Sequence, residues 1–213
     1  MAVTSRERVR LAAVKLFAAK GFHGTGIRDL AQEAKLSSAS LYHYMGTKED
    51  LLAAIMTESL RRLLDAAEQA CEGVDEPAER LRTLVELHVL AHAVQPSETR
   101  VVDNEVSALS PEARAPVVAL RDAYERLWAD AIADGVASGT FATAHPAVTR
   151  LALLEMCSGV ARWYSPRGPL SLDQLAAHYS ELAMRALGCA FASGHTGAGR
   201  CREVVSRVWG VPV

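Results

Sequence analysis

The sequence predicts an all-α protein, with a small three-helix head at the N-terminus and a larger helical body behind it. Three observations carry this prediction. Apolar residues recur at helical spacing, as in Ile27, Leu30, Ala31 and Ala34, which form one stripe at i, i+3, i+4 and i+7. Pro and Gly punctuate the chain at intervals suited to helices rather than strands. Capping signatures stand where those helices would begin, notably Thr47 with Asp50 and Ser171 with Gln174.

The head opens with a helix over residues 5–20. Its apolar face is Val9, Leu11, Ala12, Ala13, Leu16 and Phe17, with Arg6, Glu7, Arg10 and Lys15 outside and Gly21 as the C-cap. A second helix, residues 27–34, keeps Arg28, Asp29, Gln32 and Glu33 on its polar face. The run Lys35-Leu36-Ser37-Ser38 breaks it and supplies a serine N-cap, so a third helix runs from about Ser38 to Tyr44. The small residues at its start, Ser38, Ala39 and Ser40, let the backbone approach base edges, while serine hydroxyls and the tips of Tyr42, His43 and Tyr44 hydrogen-bond bases or phosphates. Thr47 then opens a long helix to about Cys71, with Leu51, Leu52, Ile55, Leu60, Leu63 and Leu64 apolar. Lys48 sits on its first turn, at the helix end that favours a phosphate. Helical bundles that bind no DNA share such a helix-turn-helix, so these residues alone also suit an ordinary surface pair.

The segment Lys15-Leu16-Phe17-Ala18-Ala19-Lys20-Gly21-Phe22, followed by the helix pair, Leu41-Tyr42-His43-Tyr44 and Thr47-Lys48-Glu49, resembles the DNA-binding domain of the TetR family of repressors over about residues 5–60. The resemblance implies double-stranded operator DNA as partner, met by Thr25, Gly26, Arg28, Ser38, Ala39, Ser40, Tyr42, His43 and Lys48. Gly26 stands where the family more often has a capping Ser or Thr, and Met45 where Phe is common. Glycine offers no side-chain oxygen for a phosphate contact.

In the body, Pro77 is an N1 proline for a helix with Leu81, Leu84, Val85, Leu87, Val89 and Leu90, closed by Pro96-Ser97. A shorter helix covers 97–109. Ser110-Pro111 is a fresh start, and Pro116 is a kink or late beginning for a helix to about Asp134. A loop over 135–145 precedes a helix from Pro146 through Tyr164, and the capping box opens a last large helix, 171–187. The expected domains are a DNA-binding head (1–47), a helical ligand-binding and dimerisation domain (48–188) and a C-terminal tail (189–213).

Half of the 213 residues are hydrophobic and 23% are charged, as in a soluble globular chain. No run is apolar enough to span a membrane and no signal pattern opens the chain, so a cytoplasmic protein without a membrane partner is expected. Net charge is −2, yet residues 1–62 hold ten Lys and Arg against six Asp and Glu, leaving 13 against 19 beyond. A basic head on an acidic body suits DNA binding at one end. The cysteines at 71, 157, 189 and 201 have no metal or disulfide spacing. No nucleophile elbow, phosphate loop or dinucleotide fingerprint occurs, so neither an enzyme nor a cofactor is expected.

Leu151, Leu154, Met156, Tyr179, Leu182, Ala183 and Ala186 exceed what one helix face needs, and serve as core seam plus subunit contact. A homodimer meets an independent need, since two helix-turn-helix units about a twofold axis reach half-sites roughly 34 Å apart. The resemblance implies the same helix pair for dimerisation. The other reading spends all seven in one intramolecular core.

Ala161-Arg162-Trp163-Tyr164-Ser165-Pro166-Arg167-Gly168-Pro169 sets a cation beside aromatics at a bend, which suits an anionic, partly apolar ligand. The stretch resembles that of family members sensing acyl-coenzyme A thioesters in fatty-acid or steroid degradation. A helix end packed by aromatics is the plainer reading. His88 and His92 have the i, i+4 spacing of a metal pair but no third ligand, so core or ligand-facing histidines are expected instead of a metal site. With Glu105, Arg121, Tyr124, Arg162, Trp163 and Arg167 they make the candidate site for a small-molecule inducer. A lipophilic or cationic drug held by Glu105, Glu155 and aromatics is the alternative ligand, and a non-DNA-binding helical adaptor the alternative class.

Overall fold

The computed structural model describes residues 4–189, 198–211 and 213, and every regular element among them is helical. In order the helices are α1 (Ser5–Lys20), α2 (Ile27–Ala34), α3 (Ser38–Met45), α4 (Lys48–Cys71), α5 (Pro77–Val94), α6 (Pro96–Asn104), α7 (Pro111–Ala137), α8 (Pro146–Ser158), α9 (Val160–Trp163), α10 (Leu172–Ala186) and α11 (Ala198–Trp209). A 3-10 turn, Val106–Ala108, follows α6. The chain forms two compact units: Met1–Arg61 with Ser97–Arg121, and Arg62–Pro96 with Asp122–Val213. Segment 97–121, which sequence order places in the body, thus packs with the head.

In the first unit, Phe17, Leu30, Leu41, Leu52, Ile55 and Met56 are fully buried and bind α1 to α4 into one core. Leu11, expected on that core face, is 49% exposed. It lies about 200° around the helix from Val9, on the far side of the buried stripe. The capping expectations hold in atomic detail: Thr47 N–H donates to Asp50 Oδ2 at 2.9 Å and Asp50 N–H to Thr47 Oγ1 at 3.0 Å. Between α2 and α3 the chain turns at Lys35, a non-glycine residue in the left-handed region with φ 55°. Leu36 N–H reaches Ala31 O at 2.9 Å there, so the turn satisfies carbonyls that the end of α2 leaves over. Pro116 falls inside α7 rather than at its start, five residues on from Pro111, where its missing N–H leaves the Glu112 carbonyl without the helical bond.

In the second unit α5 is buried almost all round and is packed by α8, α9, α10 and α11. Leu81, Leu84, Leu87 and Leu90 meet Trp128 and Ile132 of α7 in its core. The helix expected over 146–164 changes register at Gly159. Gly159 N–H still reaches Glu155 O, but Arg162 N–H bonds Gly159 O three residues back, giving the short α9. The region expected to loop from 135 carries a buried Phe141, whose ring lies where a Cβ on Gly135 would sit. Within the stretch assigned as tail, residues 190–197 lie outside the described residues. Beyond them α11 buries Cys201, Val204 and Val205, and Arg200 donates to the Gln69 and Glu72 carbonyls at the end of α4. Among the described residues no helix is long and apolar enough to cross a membrane.

Candidate nucleic-acid interface and ligand site

The nucleic-acid candidates are organised by how α3 is held. Ser37 caps it, its Oγ accepting Ser40 N–H at 3.1 Å and lying 2.9 Å from Ser40 Oγ. Leu41 and Met45 are buried and fix the helix to the head core. Pinned on that side, α3 turns Ser38, Ala39, Tyr42, His43 and Tyr44 outward, with Tyr42 52% exposed. Small residues at the helix start and hydrogen-bonding rings further along make a face that presents donors and acceptors without a carboxylate.

Around it the other expected residues divide. Gly26 and Arg28 are exposed at the start of α2. Glycine has no side chain to cap with, so only half of a capping box exists: Gly26 N–H donates to Asp29 Oδ2 at 3.2 Å. Thr25 is 1% exposed, and its hydroxyl donates to Gly21 O at 2.8 Å. Its side chain lies beneath the surface and stabilises the α1–α2 turn. Lys48 is half-buried: its Nζ donates to Phe22 O and Thr25 O, both at 2.9 Å, and stands 4.2 Å from the Phe22 ring centroid. An ammonium has three donors, so this lysine staples the α1–α2 turn to α4 and keeps one proton for another acceptor. Tyr44, whose hydrogen-bonding tip the sequence also offers, is 38% exposed and joins the face.

The ligand candidates are divided between the two units. Glu105 belongs to the first unit, where Oε2 accepts Phe22 N–H at 3.1 Å. Arg121 lies in the same unit, 3.7 Å from Asp103 Oδ1. His88, His92 and Tyr124 do assemble, in the core of the second unit. His88 Nδ1 lies 2.9 Å from Tyr124 Oη and Nε2 lies 3.1 Å from Ser158 Oγ. The imidazoles of His88 and His92 stack with centroids 3.7 Å apart. Stacked rings face each other instead of aiming nitrogens at a shared point, so the pair does not chelate. Burial holds His88 well below the ordinary imidazole value, helped by His92, and burial pushes His92 down to about 4. Both rings are neutral at pH 7. Trp128 stands edge-on to His88 at 5.6 Å, and neither its Nε1 nor His92 Nδ1 finds a partner in good geometry. Ser158 has no signal in the sequence, since 70 positions separate it from His88. Arg162, Trp163 and Arg167 are exposed around the bend after α9, with the Trp163 ring stacked on Tyr179 at 6.5 Å.

Of the candidate dimer residues, Ala183 is fully buried in the core of its own unit, because it faces inward on α10 beside Met184. Leu151 and Leu182 are each 49% exposed and Ala186 is exposed, while Leu154, Met156 and Tyr179 are partly buried. Val148, three residues before Leu151 on α8, is 64% exposed.

A helix-turn-helix head with an outward polar α3, joined to a helical unit holding a buried polar cluster, defines the class of DNA-binding regulators with a sensing domain. Comparison with known proteins narrows it. Residues 10–55 match the family model described as bacterial regulatory proteins of the tetR family, and residues 74–187 match that of the tetracyclin repressor-like C-terminal domain. The chain belongs to the TetR family and is a ligand-responsive transcriptional repressor of that type. It is 27% identical over 181 residues to the HTH-type transcriptional repressor KstR2 of Mycolicibacterium smegmatis, covering 84% of this chain and 88% of that one. Among solved structures, a tetR-family regulatory protein from Rhodococcus RHA1 superposes with a TM-score of 0.81 at 31% identity, covering 89% of this chain and all of the other. The TetR family regulator PfmR of Thermus thermophilus gives a TM-score of 0.74 at 35% identity, over 84% and 97% of the two chains.

Proposed function

We propose that this repressor reads a palindromic operator as a homodimer, with α3 of each copy in the major groove, and that an acyl-coenzyme A thioester bound by the second unit releases it. The observation carrying the DNA reading is the division of α3 between a buried Leu41–Met45 side and an exposed Ser38, Ala39, Tyr42 and His43 side. Arg28 and the free donor of Lys48 supply phosphate contacts beside that face. The exposed apolar surface of Val148, Leu151, Leu182 and Ala186 on α8 and α10 supports the dimer, since such patches mark interfaces.

The anionic end of the ligand is assigned to Arg162 and Arg167, with Trp163 as a stacking surface. The link to DNA runs through the chain itself: α5, which carries His88 and His92, continues through Gln95 and Pro96 into α6, which packs in the head unit. A hundredfold loss of operator affinity needs about 2.7 kcal/mol of differential ligand binding between the two states. Fluorescence anisotropy on DNA from upstream of the protein's own gene tests the reading, with acyl-coenzyme A thioesters and hydrophobic cations as competing inducers. Release by the thioesters alone is expected. Release by the cations alone replaces the inducer class, and no DNA binding at any salt removes the repressor reading.

A further inference from the structure

The polar chain in the second unit has one proton more than it can use. Tyr124, neutral His88 and Ser158 bring three protons, on an O–H, an N–H and an O–H, to two hydrogen bonds of 2.9 and 3.1 Å. If His88 carries its proton on Nδ1, the spare donor is the Tyr124 hydroxyl. If the proton is on Nε2, Ser158 Oγ accepts it and its own O–H is left free. Tyr124 is 4% exposed, whereas Ser158 is only half-buried at the end of α8, so the accessible outlet is Ser158. A buried site with a surplus donor favours a ligand that brings an acceptor.

Two further observations define what that acceptor is attached to. Burial disfavours the imidazolium of His88, so the site offers no cation to balance a buried carboxylate or phosphate. The cation stands outside: Arg162 Nη2 lies 3.5 Å from where a Cβ on Gly159, the residue after Ser158, would stand. The order along the chain is therefore neutral donor, glycine, exposed guanidinium.

Resting on the acyl-coenzyme A reading above, we propose that Ser158, oriented by His88 and Tyr124, donates to the uncharged carbonyl oxygen of the thioester, so that the repressor recognises the acyl linkage itself as well as the anionic carrier. Ligand binding then selects the Nε2–H tautomer of His88, and Arg162 holds the phosphate-bearing end outside.

The test compares hexanoyl-coenzyme A with S-hexyl-coenzyme A, a thioether of equal chain length that lacks the carbonyl. Calorimetric affinities are measured for both, on the wild-type dimer and on Ser158→Ala and Arg162→Ala. The wild type is expected to bind the thioester about tenfold tighter or more. Ser158→Ala brings that ratio close to one, while Arg162→Ala weakens both ligands and leaves the ratio intact. Thermal unfolding of the variants checks folding, and the ratio is a quantity that mere loss of structure would not move. Equal wild-type affinity for thioester and thioether overturns the proposal while leaving the inducer class standing. A preference that survives in Ser158→Ala overturns the role of Ser158. Binding of neither compound overturns the acyl-coenzyme A reading and this proposal with it.

Discussion

Arg10 Nη2 of α1 lies 2.6 Å from Glu98 Oε2 of α6, and the Glu98 side chain is only 4% exposed. Glu7 and Glu58, at 3.6 and 3.5 Å, surround the same guanidinium from more open positions. This ion pair and the Glu105 bond to Phe22 N–H hold the α6 segment to the head. Removing the guanidinium takes its 2.6 Å partner from the buried Glu98 carboxylate, at a cost of about 3 kcal/mol. Arg10→Ala is therefore expected to lower the thermal midpoint by roughly 6–12 °C. An unchanged midpoint would show that the pair is solvated and holds nothing.

Lys48 is placed by its sequence position to contact phosphate, and its two bonds to Phe22 O and Thr25 O give it a role without DNA. Lys48→Met keeps the aliphatic stem and loses both charge-assisted bonds, with an expected loss of about 1–3 kcal/mol in denaturant unfolding of the free protein. Were the variant as stable as wild type, with only operator binding weakened, the lysine would serve DNA alone.

Lys35 holds a left-handed backbone that costs an ordinary residue about 1–2 kcal/mol. Glycine takes the same φ without strain but gives back part of the gain through unfolded-state entropy. Lys35→Gly should raise stability by about 0.5–1 kcal/mol in urea, and Lys35→Val should lower it. A destabilised glycine variant would contradict this account of the turn.

The stacked histidines predict acid sensitivity. In the folded state burial pushes His92 down to about 4, and His88 is also lowered, by burial and by His92. Unfolded, each titrates near 6.5. Between those values the unfolded state binds more protons, so stability falls as pH drops from about 6.5 toward 4. His92 alone accounts for about 3 kcal/mol across that window. Thermal midpoints from pH 7.5 to 5 should fall for the wild type and fall less for His92→Leu; parallel profiles would mean that His92 is not buried and neutral.

Gly26 leaves α2 without a side-chain cap, and a Cβ there would stand 3.6 Å from Asp29 Oδ2, an ordinary contact. Gly26→Ser is expected to fit and to add a few tenths of a kcal/mol. It also restores a hydroxyl near phosphate, so operator affinity should rise modestly in a salt-matched anisotropy titration. Loss of stability would mean that the open N-terminus of α2 requires glycine.

Features decided within three or four residues were legible in the sequence: the Thr47–Asp50 and Ser171–Gln174 boxes, the Gly21 end of α1, and the polar face of α3 beside its Leu41 anchor. Features decided by distant backbone were not. The acceptors of Lys48 are carbonyls 26 and 23 positions away, and the Ser158 partner of His88 comes from another helix. Periodicity placed Ala183 on an apolar face correctly, yet could not say which apolar residues meet their own core and which stay open. The packing of 97–121 with the head has no local signature, since it rests on long-range bonds of Glu98, Glu105 and Ser110 and on Val101, Val102, Leu109 and Val117 entering the head core.

The central claim is that the exposed side of α3 reads operator DNA. Its most direct test is operator affinity of Tyr42→Ala against wild type, by anisotropy at one fixed salt concentration, with non-specific DNA as reference. Tyr42 is half exposed and outside the core, so folding is expected to be unaffected. The account predicts an operator affinity at least tenfold weaker, with non-specific binding and thermal midpoint unchanged. Unaltered operator affinity in a correctly folded variant would contradict it.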